Sequence, residues 1–457
     1  MYDVVVVGAG PCGLSCSIEL AKQGKKVALI EKGKDYLQRS CNVDEGKECI
    51  NCNPCNVISG IGGCVHYGDS VKLSYYPSGR RLYEKLGKDE YNQLLEKACR
   101  HWGINTDQSF YHPDMESYGN LEIKNYPVCV LESNRVKAYI EKMYRTISEM
   151  DNIEKVIGKC VKRIDKKNNV FEIDLNEKVK IYSKKLVLAV GRSGLLWLKD
   201  AIGKMGVSYN EPESSVGVRF ELPKKYLVGL GNIHPDLKIR TTLNQKKYKT
   251  FCFCAGENGG RIKLMNFGKF TLLDGHVLTD KDNNFDRGNF ALLTKFVKPI
   301  NYPYDYKQFL EDYLIKYQSL NTIHPGQPIC QNFLNFQNRV KEVGRKYDGI
   351  SSIKELIYGN VFELFDRETL REFCCVANDI FVYIWNHYTD SNSKTYSEFL
   401  REILVVGLEM EGLWDEINTS ETFESTCNGL YFGGDCGGET QGVLQATISG
   451  LKIASVL

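Results

Sequence analysis

The chain opens on an unbroken apolar run, Val4-Val5-Val6-Val7, too short for a helix and wholly β-branched. Such a run predicts a strand buried on both faces. An amphipathic helix pattern follows, then a second apolar run at 27–30 that ends in an acid, Glu31. Residues 88–103 and 134–150 carry helical spacing, with Asn134 placed to cap the second helix. Between 153 and 190 the pattern turns strand-like, at 156–164, 170–175, 180–182 and 186–190, with a turn at Lys167-Asn168-Asn169. Alternation continues through 205–290, notably at 216–221, 248–254 and 261–266. From 303 to 425 the spacing becomes helical, as at 306–319, 367–387 and 396–410.

The glycines give the first elements a chemistry. Between the first strand and helix stands Gly8-Ala9-Gly10-Pro11-Cys12-Gly13. Gly8 permits a tight turn, Gly10 lets the backbone approach a pyrophosphate, and Gly13 lets the helix pack closely on the sheet. The helix N-terminus then faces the phosphates, and Glu31, followed by Lys32, lies where a ribose diol would bind. A dinucleotide site is expected here.

Two later segments extend the pattern. Lys185-Leu-Val-Leu-Ala-Val-Gly191 reads as a buried strand ending in glycine. Gly429-Leu-Tyr-Phe-Gly-Gly434-Asp435-Cys-Gly-Gly-Glu-Thr-Gln441-Gly442 is a short strand, an acid and a glycine-opened helix that starts at Val443. This combination resembles the two-dinucleotide-binding flavoproteins, the superfamily of glutathione reductase and the aromatic hydroxylases. The resemblance implies an α/β fold: a Rossmann-like FAD-binding domain with an inserted α+β substrate domain. It implies that the acid matching Asp435 bonds the ribitol and pyrophosphate region. The helix N-terminus after it would face the flavin pyrimidine ring, where negative charge of a reduced flavin is favoured. The FAD-binding domain is expected to be discontinuous, 1–204 plus 426–457, with 205–425 inserted. Within the insert, 205–290 is expected to be sheet and 303–425 helical.

Composition narrows the picture only at the cysteines. Apolar content of 42%, charged content of 25% and a net charge of +2 describe an ordinary globular protein without a single-sign field. Nucleic acid is therefore not an expected partner, and no apolar run suggests a membrane span. No secretory signal is recognised at the N-terminus, so cytoplasm is expected, with the 17 cysteines mostly reduced or ligating.

Residues 41–82 form an irregular Cys- and Gly-rich stretch, of the kind that is functional or braced. Cys41, Cys49, Cys52 and Cys55 fall close together, the last three in C-x2-C-x2-C spacing. That spacing matches part of a ferredoxin-type run. Four thiolates also suit zinc, and free thiols lining a loop near a flavin are the third alternative. The stretch that follows, Gly62-Gly63-Cys64-Val65-His66-Tyr67-Gly68-Asp69-Ser70-Val71-Lys72, resembles a poorly characterised family of FAD-dependent dehydrogenases. Gly217-Val218-Arg219-Phe220-Glu221 and Thr250-Phe251-Cys252-Phe253-Cys254 carry the same resemblance. Cys64 and Val65 depart from it. In the superfamily this loop passes over the flavin, so Gly62 and Gly63 would approach the ring. His66, Asp69 and Lys72 then become redox-site candidates, the histidine as acid or base and the lysine as a stabiliser of reduced flavin. Cys252 and Cys254 share one strand face and are a candidate redox pair, ligand pair or packing pair. Arg219 is a candidate for gripping an anionic substrate.

The expected function is an FAD-dependent oxidoreductase moving a hydride between flavin N5 and a small organic substrate. Whether it is a dehydrogenase, reductase or oxidase stays open. No second glycine fingerprint marks an NAD(P)H domain, so electrons are expected from outside, an electron-carrier protein among the sources. Two alternatives remain: a flavin or metal redox sensor or assembly factor without turnover, and a tRNA-modifying flavoprotein.

Overall fold

The computed structural model describes residues 1–66, 70–105, 117–124, 126–176, 179–279, 284–342, 344–389 and 394–457. The valine run forms the strand Tyr2–Val7 at the centre of a parallel sheet. Val27–Glu31 lies on one side of it and Ile153–Ile157 beyond. Val179–Leu188 lies on the other side, and Leu430–Phe432 pairs with its C-terminal half. These strands all run one way, so their carboxyl ends share one edge. An antiparallel pair, Arg163–Lys167 and Val170–Asn176, joins the N-terminal half of Val179–Leu188. Asn168 and Asn169 form the expected turn, both at positive φ, which asparagine tolerates.

Helices Pro11–Lys22, Lys88–Trp102, Ser133–Glu149 and Val443–Val456 bury their apolar faces on one side of this sheet. Leu195–Lys204 packs on the other side. Three local expectations are corrected. The run 156–164 is two strands at opposite edges of the sheet, because Gly158 turns the chain at φ +72. The segments 180–182 and 186–188 belong to one strand, Val179–Leu188, which Lys184 and Lys185 continue without breaking. Asn134 lies inside its helix, which is entered through Glu132.

A second sheet has eight strands. In spatial order they are Ile357–Tyr358, Ile329–Asn332, Leu404–Glu411, Ser215–Pro223, Arg287–Lys295, Lys246–Cys254, Lys238–Leu243 and Glu122–Lys124. The hairpin Gly260–Asn266 and Thr271–Val277 packs against it. Helix Arg367–Tyr388 covers it through an aromatic core, with the Phe381 ring 5.0 Å from Phe220 and 4.9 Å from Phe333. The division into a sheet at 205–290 and a helical part at 303–425 is therefore corrected. Leu404–Glu411 is an inner strand of the sheet, beside Ser215–Pro223. Nearly every residue of it is buried, and its first half extends the apolar run 403–408, which does not separate strand from helix. Among the described residues no helix is long and apolar enough to cross a membrane.

The two helices that flank the cofactor loop touch through a glycine. A Cβ on Gly450 would stand 2.3 Å from the Cys12 carbonyl oxygen and 2.4 Å from Ser15 Oγ. Gly450→Ala must push the helices apart, at an expected cost of about 1–3 kcal/mol in unfolding free energy. Urea denaturation measures this, and an unchanged midpoint would show that the contact is not tight.

Candidate functional site

Three chain segments meet at the carboxyl edge of the parallel sheet, and each arrives with glycine at the contact. Gly8 sits at φ +106, and a Cβ there would lie 2.2 Å from the Ala189 carbonyl oxygen. A Cβ on Gly13 would lie 1.8 Å from the Gly8 carbonyl oxygen. Pro11 occupies the first turn of the helix, where its missing N–H costs nothing, and Gly10 precedes it without a side-chain cap. The helix N–H groups are thereby left for an anion. From the loop, Gly63 abuts Gly10, and a Cβ on Gly63 would be 2.7 Å from Gly10 Cα. From the C-terminal segment, a Cβ on Gly433 would be 2.4 Å from Cys12 Sγ. Gly434, at φ +71, donates its N–H to Ser449 Oγ at 3.0 Å. Burial pushes the Cys12 thiol up to about 12, so it stays protonated as packing.

Glu31 holds this arrangement together. Its carboxylate accepts N–H bonds from Ala9 at 2.9 Å, Gly33 at 2.8 Å and Gly60 at 2.9 Å. A carboxylate has about four acceptor positions. The unused one, on Oε2, is available to a ribose hydroxyl. A half-open pocket beside Glu31 is lined by Gly8, Lys32, Cys160, Val161, Ser193 and Trp197. Lys32 Nζ donates to the Ser193 carbonyl, and burial lowers its pKa. The pocket lies at the strand ends, the standard place for a nucleotide in such sheets. The Cβ-free cradle, the uncapped helix N-terminus and this pocket fit the phosphates and adenosine of FAD. Lys32 would line the adenosine pocket, Glu31 would hold the ribose, and Gly8, Gly10 and Gly63 would cradle the phosphates.

No motif in the chain marks Arg39, which is wholly buried. Its guanidinium donates to five carbonyls of the cysteine loop: Asn56 at 2.7 Å, Ile61 at 2.6 Å, Val57 and Val65 at 3.1 Å, and Gly63. Gly62 N–H donates to the Ala9 carbonyl at 2.8 Å, which docks the loop on the cofactor turn. Cys160, Val161, Ser193 and Trp197 also carry no recognisable pattern.

A row of alternating charges runs from the cradle into the second sheet. Arg192 Nε lies 3.9 Å from Asp435, and its Nη1 donates to Asp274 Oδ2 at 2.6 Å. Asp274 lies 4.0 Å from Arg219. Burial pushes Asp435 up, against the pull of Arg192. Burial opposes ionisation of Asp274 too, yet Arg192 and Arg219 hold it below the usual carboxylate range. Arg219 corrects its expected role. It is fully buried, bonded bidentately to Glu409 at 2.6 and 2.7 Å, and also to Asn289 Oδ1 at 2.6 Å. No fork of donors is left for a substrate. Gly191 precedes Arg192 at φ +51. The Cys436 thiol donates to the Leu188 carbonyl at 3.2 Å, so it ties the strand ends together. Gln441 is exposed, beside Gly442 and Val443 at the start of the last helix.

The remaining candidates separate into two places. Cys252 and Cys254 stand with their sulfurs 3.5 Å apart, and Lys72 Nζ lies 3.6 Å from Cys254 Sγ and 3.3 Å from Asp236. Lys72 therefore serves this thiol pair and Asp236. His66 is buried, with Nε2 2.9 Å from Asp44 Oδ2, and Asp44 also pairs with Arg261. Asp69 lies outside the described residues.

The four-thiolate set is also corrected. Among the described residues, the one gathered group of metal-ligand atoms is Cys41, Asp44 and His66, within 4.8 Å of one another. Cys49, Cys52 and Cys55 do not join it. Cys52 and Cys55 instead form a hydrogen-bonded pair.

Residues 3–40 match the family of the FAD binding domain. An uncharacterized protein of Clostridium beijerinckii is 25% identical over 265 residues, 55% of this chain and 44% of that protein. The match thus spans less than half the length of that curated relative. One component of the anaerobic glycerol-3-phosphate dehydrogenase of Pectobacterium carotovorum is 49% identical over 39 residues, 8% of this chain and 9% of that one. Among solved structures, a geranylgeranyl bacteriochlorophyll reductase-like protein of Thermoplasma acidophilum aligns at TM-score 0.39 and 13% identity, over 100% of this chain and 77% of that one. The family match supports FAD binding at this segment.

Glu31→Ala leaves three buried N–H groups without their acceptor, so it should cost at least about 2 kcal/mol of stability and strip FAD on dialysis. Full flavin retention would remove Glu31 from the site. Cys52 is half-buried, and the hydrogen bond from Cys55 brings its pKa down to about 6. Its thiolate is present above that value and lost as pH falls through it. Iodoacetamide at pH 7 should alkylate Cys52 before the other loop thiols, with peptide mass spectrometry as the readout. Equal labelling of Cys41 and Cys49, whose pKa values burial raises, would contradict this.

Proposed function

We propose that the chain is an FAD-dependent oxidoreductase acting on a small organic substrate, with electrons supplied by an external donor such as a carrier protein. The observation that carries this reading is the convergence of Gly8–Gly13, Gly62-Gly63 and Gly433–Asp435 on one helix N-terminus. Bound FAD would supply hydride chemistry at N5, and the protein sets its orientation and electronics.

The chain's own groups have defined tasks in that reading. The N-terminus of Pro11–Lys22 binds phosphate, and Glu31 accepts from the ribose. Asp435 holds the ribitol side and is itself kept in place by Arg192. Arg39 fixes the loop that would close over the cofactor by collecting its inward carbonyls. Docking of Gly62 and Gly63 against the cofactor turn keeps water from the phosphates. The helix Val443–Val456 begins at Gly442 without a side-chain cap, and its N-terminal dipole favours negative charge nearby.

An absorption spectrum of the purified protein tests the reading, with flavin bands expected and bleached by dithionite. Asp435→Ala should stay folded and weaken FAD binding about tenfold or more, the loss of one charged hydrogen bond. A colourless wild-type protein that takes up no added FAD would overturn the proposal. Undiminished FAD affinity in Asp435→Ala would overturn the role of that carboxylate.

A further inference from the structure

We propose that Cys252 and Cys254 are a redox-active dithiol that closes to a disulfide, exchanging two electrons with the flavin.

The backbone is bent to bring the pair together. In a regular strand, side chains at i and i+2 stand roughly 6.6 Å apart, twice the rise per residue. Here the two sulfurs are 3.5 Å apart, at van der Waals contact. The distance closes because the strand Lys246–Cys254 breaks register between Phe251 and Cys254, and Cys252 adopts φ +45. A non-glycine residue in that region is strained, and such strain gathers at functional positions. Two cysteines that served only as packing would need no such departure.

The surroundings favour a reactive pair. Space for it is made by Gly275, where a Cβ would fall 2.7 Å from Cys254 Sγ and 2.1 Å from Arg219 Nη1. Lys72 reaches the pair from the loop side, where it bonds the Phe253 carbonyl and lies 3.6 Å from Cys254 Sγ. Arg219 donates to the Cys252 carbonyl at 3.1 Å. Burial alone would raise both thiols. The hydrogen bond from Cys252, with Lys72 and Arg219, nevertheless holds Cys254 below the usual thiol range. Cys252 moves the other way, because it gives its proton to that bond. One thiol poised as nucleophile beside a protonated partner is the arrangement thiol–disulfide chemistry needs. Cys252 is also the part-exposed member of the pair.

The pair also connects to the cofactor cradle. Cys252 Sγ lies 3.3 Å from the Gly275 carbonyl oxygen. Gly275 follows Asp274, which pairs with Arg192, which reaches Asp435 of the cradle. The dithiol is thus linked to the Arg192–Asp435 pair of the cradle through the strand Thr271–Val277.

The chemistry balances with the flavin as oxidant. Two S–H bonds break and one S–S bond forms, while two electrons and two protons pass to oxidised FAD. The reverse step restores both thiols. The identity of the electron partner rests on the FAD reading, whereas closure of the pair does not.

The experiment has two arms. In the first, FAD-stripped protein is treated with diamide, digested under acid and mapped by mass spectrometry. A link joining Cys252 to Cys254, with loss of two hydrogens, is expected, and its absence overturns the proposal. In the second, fully oxidised holoprotein is titrated anaerobically with dithionite. Wild type should take up twice the electrons of Cys252→Ser or Cys254→Ala before the flavin is fully bleached. Equal uptake by wild type and both variants overturns exchange with the flavin. The first arm reads wild-type protein, so a variant that fails to fold does not affect it. A protein that forms the link yet never binds FAD overturns the proposed function and the flavin's part in this one, while leaving the dithiol itself established.

Discussion

The buried carboxylate of Glu31 is the interaction on which the site depends. Three backbone N–H groups from three different turns hold it: Ala9 in the glycine turn, Gly33 after the second strand, and Gly60 in the cysteine loop. Arg39 does the opposite with the same loop, gathering five carbonyls around one guanidinium. An irregular segment cannot satisfy its backbone through a ladder or a helix. Here Glu31 takes the loop's Gly60 N–H together with N–H groups of two turns it packs on, and Arg39 collects five of the loop's C=O groups. This is how a loop without regular structure is placed closely enough for Gly63 to meet Gly10.

The glycines and the carboxylate explain each other. The closest approaches at Gly8, Gly13 and Gly63 are backbone on backbone, at distances a Cβ would forbid. Such contacts have no side chains to set their register. The hydrogen bonds of Glu31, and the Gly62 N–H to the Ala9 carbonyl, supply it.

The cofactor elements are legible in the chain because their chemistry is local. A valine run, a glycine turn and an acid at the next strand end fall within Val4 to Glu31, and the structure assembles them as expected. Leu404–Glu411 reads as helix for the opposite reason. Its first half is an unbroken apolar run without alternation, and its neighbours in the sheet come from Ser215–Pro223 and Ile329–Asn332. Arg39 is hidden for a related reason, since five carbonyl acceptors leave no trace in residue type. Arg219 is visible but ambiguous. Its sequence neighbours cannot reveal that Glu409, far along the chain, occupies two of its donors.

That pair has a wider role. Asp435, Arg192, Asp274, Arg219 and Glu409 form one alternating row from the cradle into the second sheet. A single buried ion is costly, and an isolated buried pair gains little. In a row, each inner charge has opposite charge on both sides, so desolvation is shared and the members position one another. The row ends beside the thiols, where Arg219 and Lys72 are the cations that favour the thiolate of Cys254. Removing Arg192 would therefore be felt at both ends: Asp435 would lose its counter-ion at the cofactor cradle, and Asp274 would press its charge on Arg219. The electrostatic state of the thiol pair is thus coupled to the carboxylate expected to hold the flavin, through contacts that are all internal to the protein.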